Sequence, residues 1–191
     1  MAESSRSSSD LSSRLLAPSD AEQLDAHGRT DAAVLIPMHG WPHNPGLVFT
    51  ERRSDLKRHA GEISFPGGRR DDGEELLDTA LREAEEEIGL SRDRVEVAGA
   101  LPPIGTFVTN YKVHPFVGLI DEGLRFRPNP TEVESVLVAS LDELAAAYAK
   151  RRLVRRGVPI KTDTYVIGDK LIWGATAHIL AMLFERLDDD D

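Results

Sequence analysis

The chain reads as one layered α/β domain, and three observations lead there. Short β-rich apolar runs alternate with stretches of helical period along most of its length. No apolar run approaches the roughly 20 residues needed to span a bilayer. Its 191 residues fill one core comfortably and are short for two. Strands interleaved with helices call for helices laid against a sheet rather than bundled together. The folded unit is expected over residues 28–187, between a Ser-rich arm at 1–20 and a like-charged tail at 188–191.

The arm has scattered charges and no apolar stretch of the kind a secretory signal carries, so it is expected to be disordered and mobile. Ala32 to Met38 and Leu47 to Thr50 are apolar and β-rich, with Gly and Pro turn material around residues 40–46 between them, which predicts adjacent strands. Glu75 to Ile88 has a helical period. Val95 to Leu101, Val113 to Ile120 and Val133 to Val138 predict further strands, Leu141 to Lys150 a helix, Thr164 to Ile167 a short strand, and Trp173 to Leu187 a closing amphipathic helix.

Composition removes several function classes. Lys and Arg number 23 against 33 Asp and Glu, and the net charge of -10 opposes binding to a phosphate backbone. Nucleic acid and membrane are therefore not expected partners. The absence of cysteine excludes disulfides, thiolate metal sites and a cysteine nucleophile, and fits a cytoplasmic location as the default. The sequence contains no P-loop, GxSxG elbow, HExxH or GxGxxG pattern.

Chemistry concentrates in the helix over 75–88 and the loop before it. On a helical wheel Leu77, Ala80, Leu81, Ala84 and Ile88 share one face, while Glu83, Glu86 and Glu87 share another. Asp72 with Glu75 three positions on resembles a capping box, and Gly89 suits a left-handed stop. Like charges at i, i+3 and i+4 weaken a helix by a few tenths of a kcal/mol per pair. A solvated acidic face partnered by Arg82 would account for them, and so would a hard divalent cation that takes oxygen ligands. The loop Phe65 to Glu74 is rich in Gly, which lets backbone approach a ligand closely and offers carbonyls as further oxygen ligands.

Taken together, Gly68, Glu74, Arg82, Glu83, Ala84, Glu86, Glu87, Gly89 and Leu90 resemble the Nudix box, with Ala84 smaller than the bulky aliphatic that the pattern asks for. That resemblance implies a Nudix-type α/β/α sandwich with a mixed β-sheet, hydrolysing a nucleoside diphosphate derivative with Mg²⁺ or Mn²⁺. By position, Glu83 and Glu87 would be metal ligands, with Glu86 a third ligand or a base that orients water. The Gly67 or Gly68 carbonyl would add a contact, Arg82 would orient a glutamate, and Glu74 would brace the loop. Glu132, at the start of a predicted strand, is a second candidate base, weighed evenly against a surface acid beside Pro130. Clustered carboxylates around a cation can neutralise a pyrophosphate and activate water, so no covalent nucleophile is needed.

A narrower resemblance runs through residues 56–68, Val113 to Gly118, Asn129 to Val133 and Ile172 to Ala177, which look like the coenzyme A pyrophosphatase subgroup. It implies a coenzyme A type substrate cleaved to adenosine 3′,5′-bisphosphate and 4′-phosphopantetheine. Glu62 departs from that subgroup, which usually has Gln there; a carboxylate could add a metal contact or repel an anionic substrate. Arg52, Arg53, Lys57, Arg58 and His59 are candidate phosphate or nucleotide contacts, along with the Gly67 backbone. His114 and His178 are expected to be structural, and Trp173 to belong to the core. The family resemblance also admits a homodimer, with no interface legible in the sequence. Two alternatives stay open: a Nudix hydrolase of ADP-ribose, a dinucleotide or an oxidised nucleotide, and a non-catalytic Nudix-fold binding module.

Overall fold

The computed structural model describes residues 2–55, 61–106, 109–155 and 158–188. The chain begins with helices α1 (Ala2–Arg14) and α2 (Pro18–Glu22), then strands β1 (Thr30–His39), β2 (Gly46–Arg52), β3 (Ile63–Ser64) and β4 (Gly67–Arg69). Helix α3 (Leu76–Ile88) follows, then a 3-10 turn and strands β5 (Glu96–Ala100), β6 (Ile104–Gly105), β7 (Tyr111–Ile120) and β8 (Val133–Ser140). Helix α4 (Leu141–Ala147), strands β9 (Tyr148–Arg155), β10 (Val158–Ile167) and β11 (Lys170–Trp173), and helix α5 (Gly174–Asp188) complete it.

Period-two patterning makes β1 the centre of the molecule. Ala32, Ile36 and Met38 enter one apolar cluster and Ala33 and Leu35 the other, so the strand is buried on both faces. Its parallel partner β7 follows it from Thr30↔Tyr111 to His39↔Ile120, while β5 and β6 add antiparallel to β7 and β8 to β2. The large sheet is thus mixed, as expected. β1 and β2 are paired only at Met38↔Leu47 and His39↔Gly46. Beyond that point the two short strands take up the ladder, β3 on β2 and β4 on β1. This division of the sheet opens the ground on which the acidic helix stands.

Helix α3 covers one face through Leu76, Ala80, Leu81, Ala84 and Ile88, against Leu35, Val48 and Phe116. The opposite face is covered by the small sheet β11-β10-β9 and by α4 and α5, where Tyr165, Ile172, Leu180 and Leu183 meet Ile36 and Phe49. No described helix is long and apolar enough to cross a membrane.

Several expectations need correction. The described part of the Ser-rich arm is helical and docked: Leu11 is fully buried, Leu16 and Ala100 exchange backbone hydrogen bonds (3.0 and 2.9 Å), and Arg14 Nη1 donates to Leu187 O at 2.8 Å. Leu11, Leu15 and Leu16 supply apolar contacts that a Ser-rich average hides. Of the acidic tail, 189–191 lie outside the described residues. Helix α4 ends at Ala147, and the chain turns extended at Tyr148 (φ -65°, ψ 135°) to pair with β10. Asp72 does not cap α3; Glu75 occupies the N-cap without a side-chain bond, while Gly89 closes the helix at φ 67° as expected. A capping box does exist, at Ser140 and Glu143 on α4.

Candidate active site

The alternation of the β1–β4 ladder decides which backbone groups face α3. Leu35 N donates to Pro66 O (2.9 Å) and Arg70 N to Asp31 O (3.1 Å), so the pair between them, Ala33↔Gly68, is also hydrogen-bonded. Gly68 therefore spends its backbone groups on β1, and those of Gly67 turn away, toward the helix. The Gly67 N–H accordingly faces the Glu87 carboxylate. Side chains are excluded here for two different reasons. A Cβ on Gly67 would lie 2.3 Å from Ala33 O, against backbone; one on Gly68 would lie 2.3 Å from Glu83 Oε1, against a carboxylate.

Arg82 ties the upstream end of the site together. Its Nε donates to Glu74 Oε1 (2.8 Å), Nη2 to Glu74 Oε2 (3.1 Å) and Arg69 O (3.2 Å), and Nη1 to Glu83 Oε1 (2.8 Å) and Glu86 Oε2 (3.2 Å). Glu74 also accepts from Thr79 Oγ1 (2.7 Å) and Asp71 N (3.2 Å). Its hydrogen bonds to Arg82 hold its carboxyl down at about 2, and Arg82 is raised in turn. This is the loop brace expected of Glu74; the first-turn N–H of Leu77 finds its acceptor elsewhere, in the Glu22 carboxylate of α2.

The downstream end is different in character. Glu87 is 8% exposed, and its Oε2 is buried with no hydrogen-bond partner. Burial, then the charge of Glu83, pushes its carboxyl up to about 8 against the pull of the Gly67 N–H and Arg52. Burial also raises Glu83, against Arg82. The wheel separates the acidic face from the apolar one, but the fold closes over Glu87, so that face is solvated only at Glu86.

Glu132 reaches this place through helix capping. Arg127 N and Asn129 N each donate at 2.8 Å to the terminal carbonyls of α3, at Ile88 and Glu87. That docks the β7–β8 connection on the helix end and delivers Glu132, whose charge acts on both Glu83 and Glu87. Arg52 Nη1 sits 3.7 Å from Glu132 Oε2, so one cation faces two of the acids. Sequence reasoning nominated both residues but missed their pairing, as well as Thr79 and Asn129; the Asn129-Pro130-Thr131 turn chemistry was the signal for the last.

Not every nominated residue joins the site. Arg53 forms a bidentate pair with Asp55 (2.9 and 2.7 Å) and donates to Pro130 O, a structural tie between loops. Lys57, Arg58 and His59 lie outside the described residues. His114 is buried, which depresses its imidazole pKa, though its Nδ1 lacks the hydrogen bond expected of a structural histidine. His178 is exposed on α5, and Trp173 is half-buried, lining a cleft rather than joining the core.

Among the described residues no three carboxylate or imidazole side chains already converge on a cation-sized point, because Arg82 draws Glu83 and Glu86 to itself. The donor set nevertheless suits a hard cation: an orphaned Glu87 oxygen, the neighbouring Glu83 carboxylate, and the Gly67 carbonyl that the ladder alternation leaves unpaired with β1. A larger cavity of about 600 Å³ lies at the His39 end of β1, lined by Trp41, His43, Arg94 and Asp121, and holds none of these residues.

Known proteins resemble the chain in sequence and in fold. The chain is 37% identical over 169 residues to an uncharacterized Nudix hydrolase NudL of Pectobacterium atrosepticum, covering 85% of each chain. It is 39% identical over 155 residues to that of Escherichia coli O1:K1, covering 80% of each. Among solved structures it resembles a MutT/nudix family protein from Enterococcus faecalis (TM-score 0.57, 13% identity, 84% of this chain and 62% of that one). It also resembles the Nudix hydrolase RenU from M. smegmatis (TM-score 0.53, 22% identity, 62% and 75%). The NUDIX domain model matches residues 29–157, and with that match and those relatives the chain belongs to the Nudix hydrolase family.

Proposed function

We propose that the protein is a divalent-cation-dependent pyrophosphohydrolase of coenzyme A or its thioesters, releasing adenosine 3′,5′-bisphosphate and the (acyl-)4′-phosphopantetheine. The observation that carries the hydrolytic reading is Glu87, a buried carboxylate with an unpartnered oxygen beside the half-buried carboxylate of Glu83. Two acids in one dry place repel each other unless a cation is shared between them. The coenzyme A part is supported by the subgroup motifs at 56–68, 129–133 and 172–177.

Mg²⁺ or Mn²⁺ held there supplies neutralisation of the diphosphate and lowers the pKa of water. Glu83 and Glu87, with the Gly67 carbonyl, would hold it. Arg82 fixes the Glu83 carboxylate by its 2.8 Å bond, so that the ligand keeps one orientation. Arg52 offers a guanidinium to a phosphate oxygen, an exchange for its long 3.7 Å contact with Glu132. That exchange frees the Glu132 carboxylate to take a proton from water attacking phosphorus in line, while the leaving phosphate departs with the anhydride oxygen. Glu86, exposed and held by Arg82 at 3.2 Å, is the competing proton acceptor.

The test is mass-resolved chromatography of products after incubation with coenzyme A and, separately, ADP-ribose, with Mg²⁺ or Mn²⁺ and with chelator. Cation-dependent release of 4′-phosphopantetheine is expected. Equal turnover of ADP-ribose overturns the narrow substrate, and cleavage of neither, extended to dinucleotides and oxidised nucleotides, favours a binding module.

A further inference from the structure

Thr79 lies inside α3, three residues before Arg82, and is fully buried. Threonine has a low propensity for a helix interior, and a buried hydroxyl must find an acceptor. The usual one is the carbonyl a turn back, here Glu75 O, which already accepts from Thr79 N at 2.9 Å and lies 3.2 Å from Oγ1. Glu74 Oε2 is closer, at 2.7 Å, and belongs to a carboxylate whose Arg82 partner keeps it ionised. The one hydroxyl proton therefore goes to Glu74.

Positions i and i+3 put Thr79 and Arg82 on one face of the helix, with the Glu74 carboxylate held between them. Glu74 Oε2 accepts from Thr79 Oγ1, from Asp71 N at 3.2 Å and from Arg82 Nη2 at 3.1 Å, and the threonine bond is the shortest. Arg82 has five N–H donors, and all are engaged. Nε and one Nη2 proton go to Glu74, the other Nη2 proton to Arg69 O, and the Nη1 protons to Glu83 and Glu86. Because the guanidinium is planar, the direction in which Nη1 points is set by how Glu74 holds Nε and Nη2. Orientation thus passes from the Thr79 hydroxyl through Glu74 and Arg82 to Glu83 Oε1, 2.8 Å from Nη1.

We infer that Thr79 is a positioning residue for the cation site: its hydroxyl keeps Arg82 turned so that Nη1 alone reaches Glu83, which leaves the rest of that carboxylate to a cation. The inference rests on the cation reading of Glu83 and Glu87 given above, and holds whichever diphosphate is cleaved. Without the hydroxyl the Glu74 carboxylate loses its shortest bond and is free to turn. Arg82 then swings further onto Glu83 and competes with the cation for it.

The experiment titrates Mn²⁺ into the full chain and follows the free ion by electron paramagnetic resonance, with steady-state kinetics on coenzyme A alongside. Thr79→Val keeps the branched shape and loses the donor; it is expected to weaken Mn²⁺ binding roughly tenfold and to lower kcat by a similar factor, with KM for coenzyme A within about twofold of wild type. Thr79→Ser restores the hydroxyl and is expected to bring Mn²⁺ binding and kcat back to within about threefold. A Thr79→Val protein that binds Mn²⁺ as the wild type does overturns the positioning role, and so does a Thr79→Ser protein as weak as Thr79→Val, because packing rather than the hydrogen bond would then be at work. Should Thr79→Val fail to fold, the comparison of Thr79→Ala with Thr79→Ser, which differ only in the hydroxyl oxygen, decides in the same way. The Mn²⁺ titration also decides if coenzyme A is not the substrate. A wild type that binds no Mn²⁺ overturns the cation reading itself, and the positioning role with it.

Discussion

Glu74 and Glu87 are the same side chain at the two ends of one helix, and the fold gives them opposite fates. Glu74 is wrapped by Arg82, Thr79 and the Asp71 N–H, and its carboxyl is held down at about 2. Glu87 is buried beside another acid, one oxygen has no partner, and its carboxyl is pushed up to about 8. The first is a finished structural joint whose bonds stabilise the loop. The second is left unsatisfied within the protein, a strain that the proposed cation would relieve. The proposed cation site is thus the place where the structure is least satisfied internally.

Substituting the two acids separates these roles most sharply. Glu87→Gln is expected to lower turnover by on the order of a thousandfold, about 4 kcal/mol of barrier, while raising the melting temperature of cation-free protein at pH 8. Glu74→Gln should do the reverse in stability, losing about 2 kcal/mol through its charged hydrogen bonds to Arg82. A Glu87→Gln variant that keeps near-native activity would end the ligand assignment.

Next in size is the pH dependence of stability, which the comparison fixes in sign. Glu87 has a folded pKa above its unfolded value, so its contribution is fully present below about 4.5 and is lost as pH rises toward about 8. Glu74 has a folded pKa below its unfolded value, so its contribution is present above about 4.5 and lost as pH falls toward about 2. Urea denaturation with chelator should therefore find the cation-free protein more stable at pH 5 than at pH 8 by a few kcal/mol, roughly. Saturating Mg²⁺ should shrink that difference, because a cation takes the place of the proton on Glu87.

The adjacent glycines extend the same contrast to the backbone. Gly67→Ala drives a methyl into Ala33 O and the Val34 backbone, and is expected to destabilise by roughly 2–4 kcal/mol in thermal unfolding. Gly68→Ala meets only the end of the Glu83 side chain, so it should cost about 1 kcal/mol or less in stability yet reduce kcat about tenfold or more by displacing a ligand. The smallest effect is expected at Arg53, whose pairing with Asp55 is solvent-exposed; Arg53→Ala should leave the melting temperature almost unchanged and product identity unchanged.

The box motif, the helix that carries it, the Gly89 stop and the strand at Ala32 to Met38 were all legible in the sequence, because each depends on residues a few positions apart. The short strands β3 and β4 were not. They read as loop because two or three residues carry no period, and they become strands only where β1 and β2 part and leave backbone groups to be paired. The same holds for the docked first helix, whose Leu11 lies within a Ser-rich segment and is buried only because β5 and α5 present a surface to it.

By itself, then, the sequence determined which residue types are available and at what local spacing: Glu83, Glu86 and Glu87 on one stripe of a helix, and Arg82 beside them. Tertiary structure decided which of those acids is dry, which is braced, and which glycine carbonyl faces them. The physical reason is that desolvation and ladder alternation are set by what packs from far along the chain. The capping of α3 by residues 127–129 brings Glu132 to the acids, and the register of β4 on β1 turns the backbone N–H of Gly67, rather than that of Gly68, toward the helix.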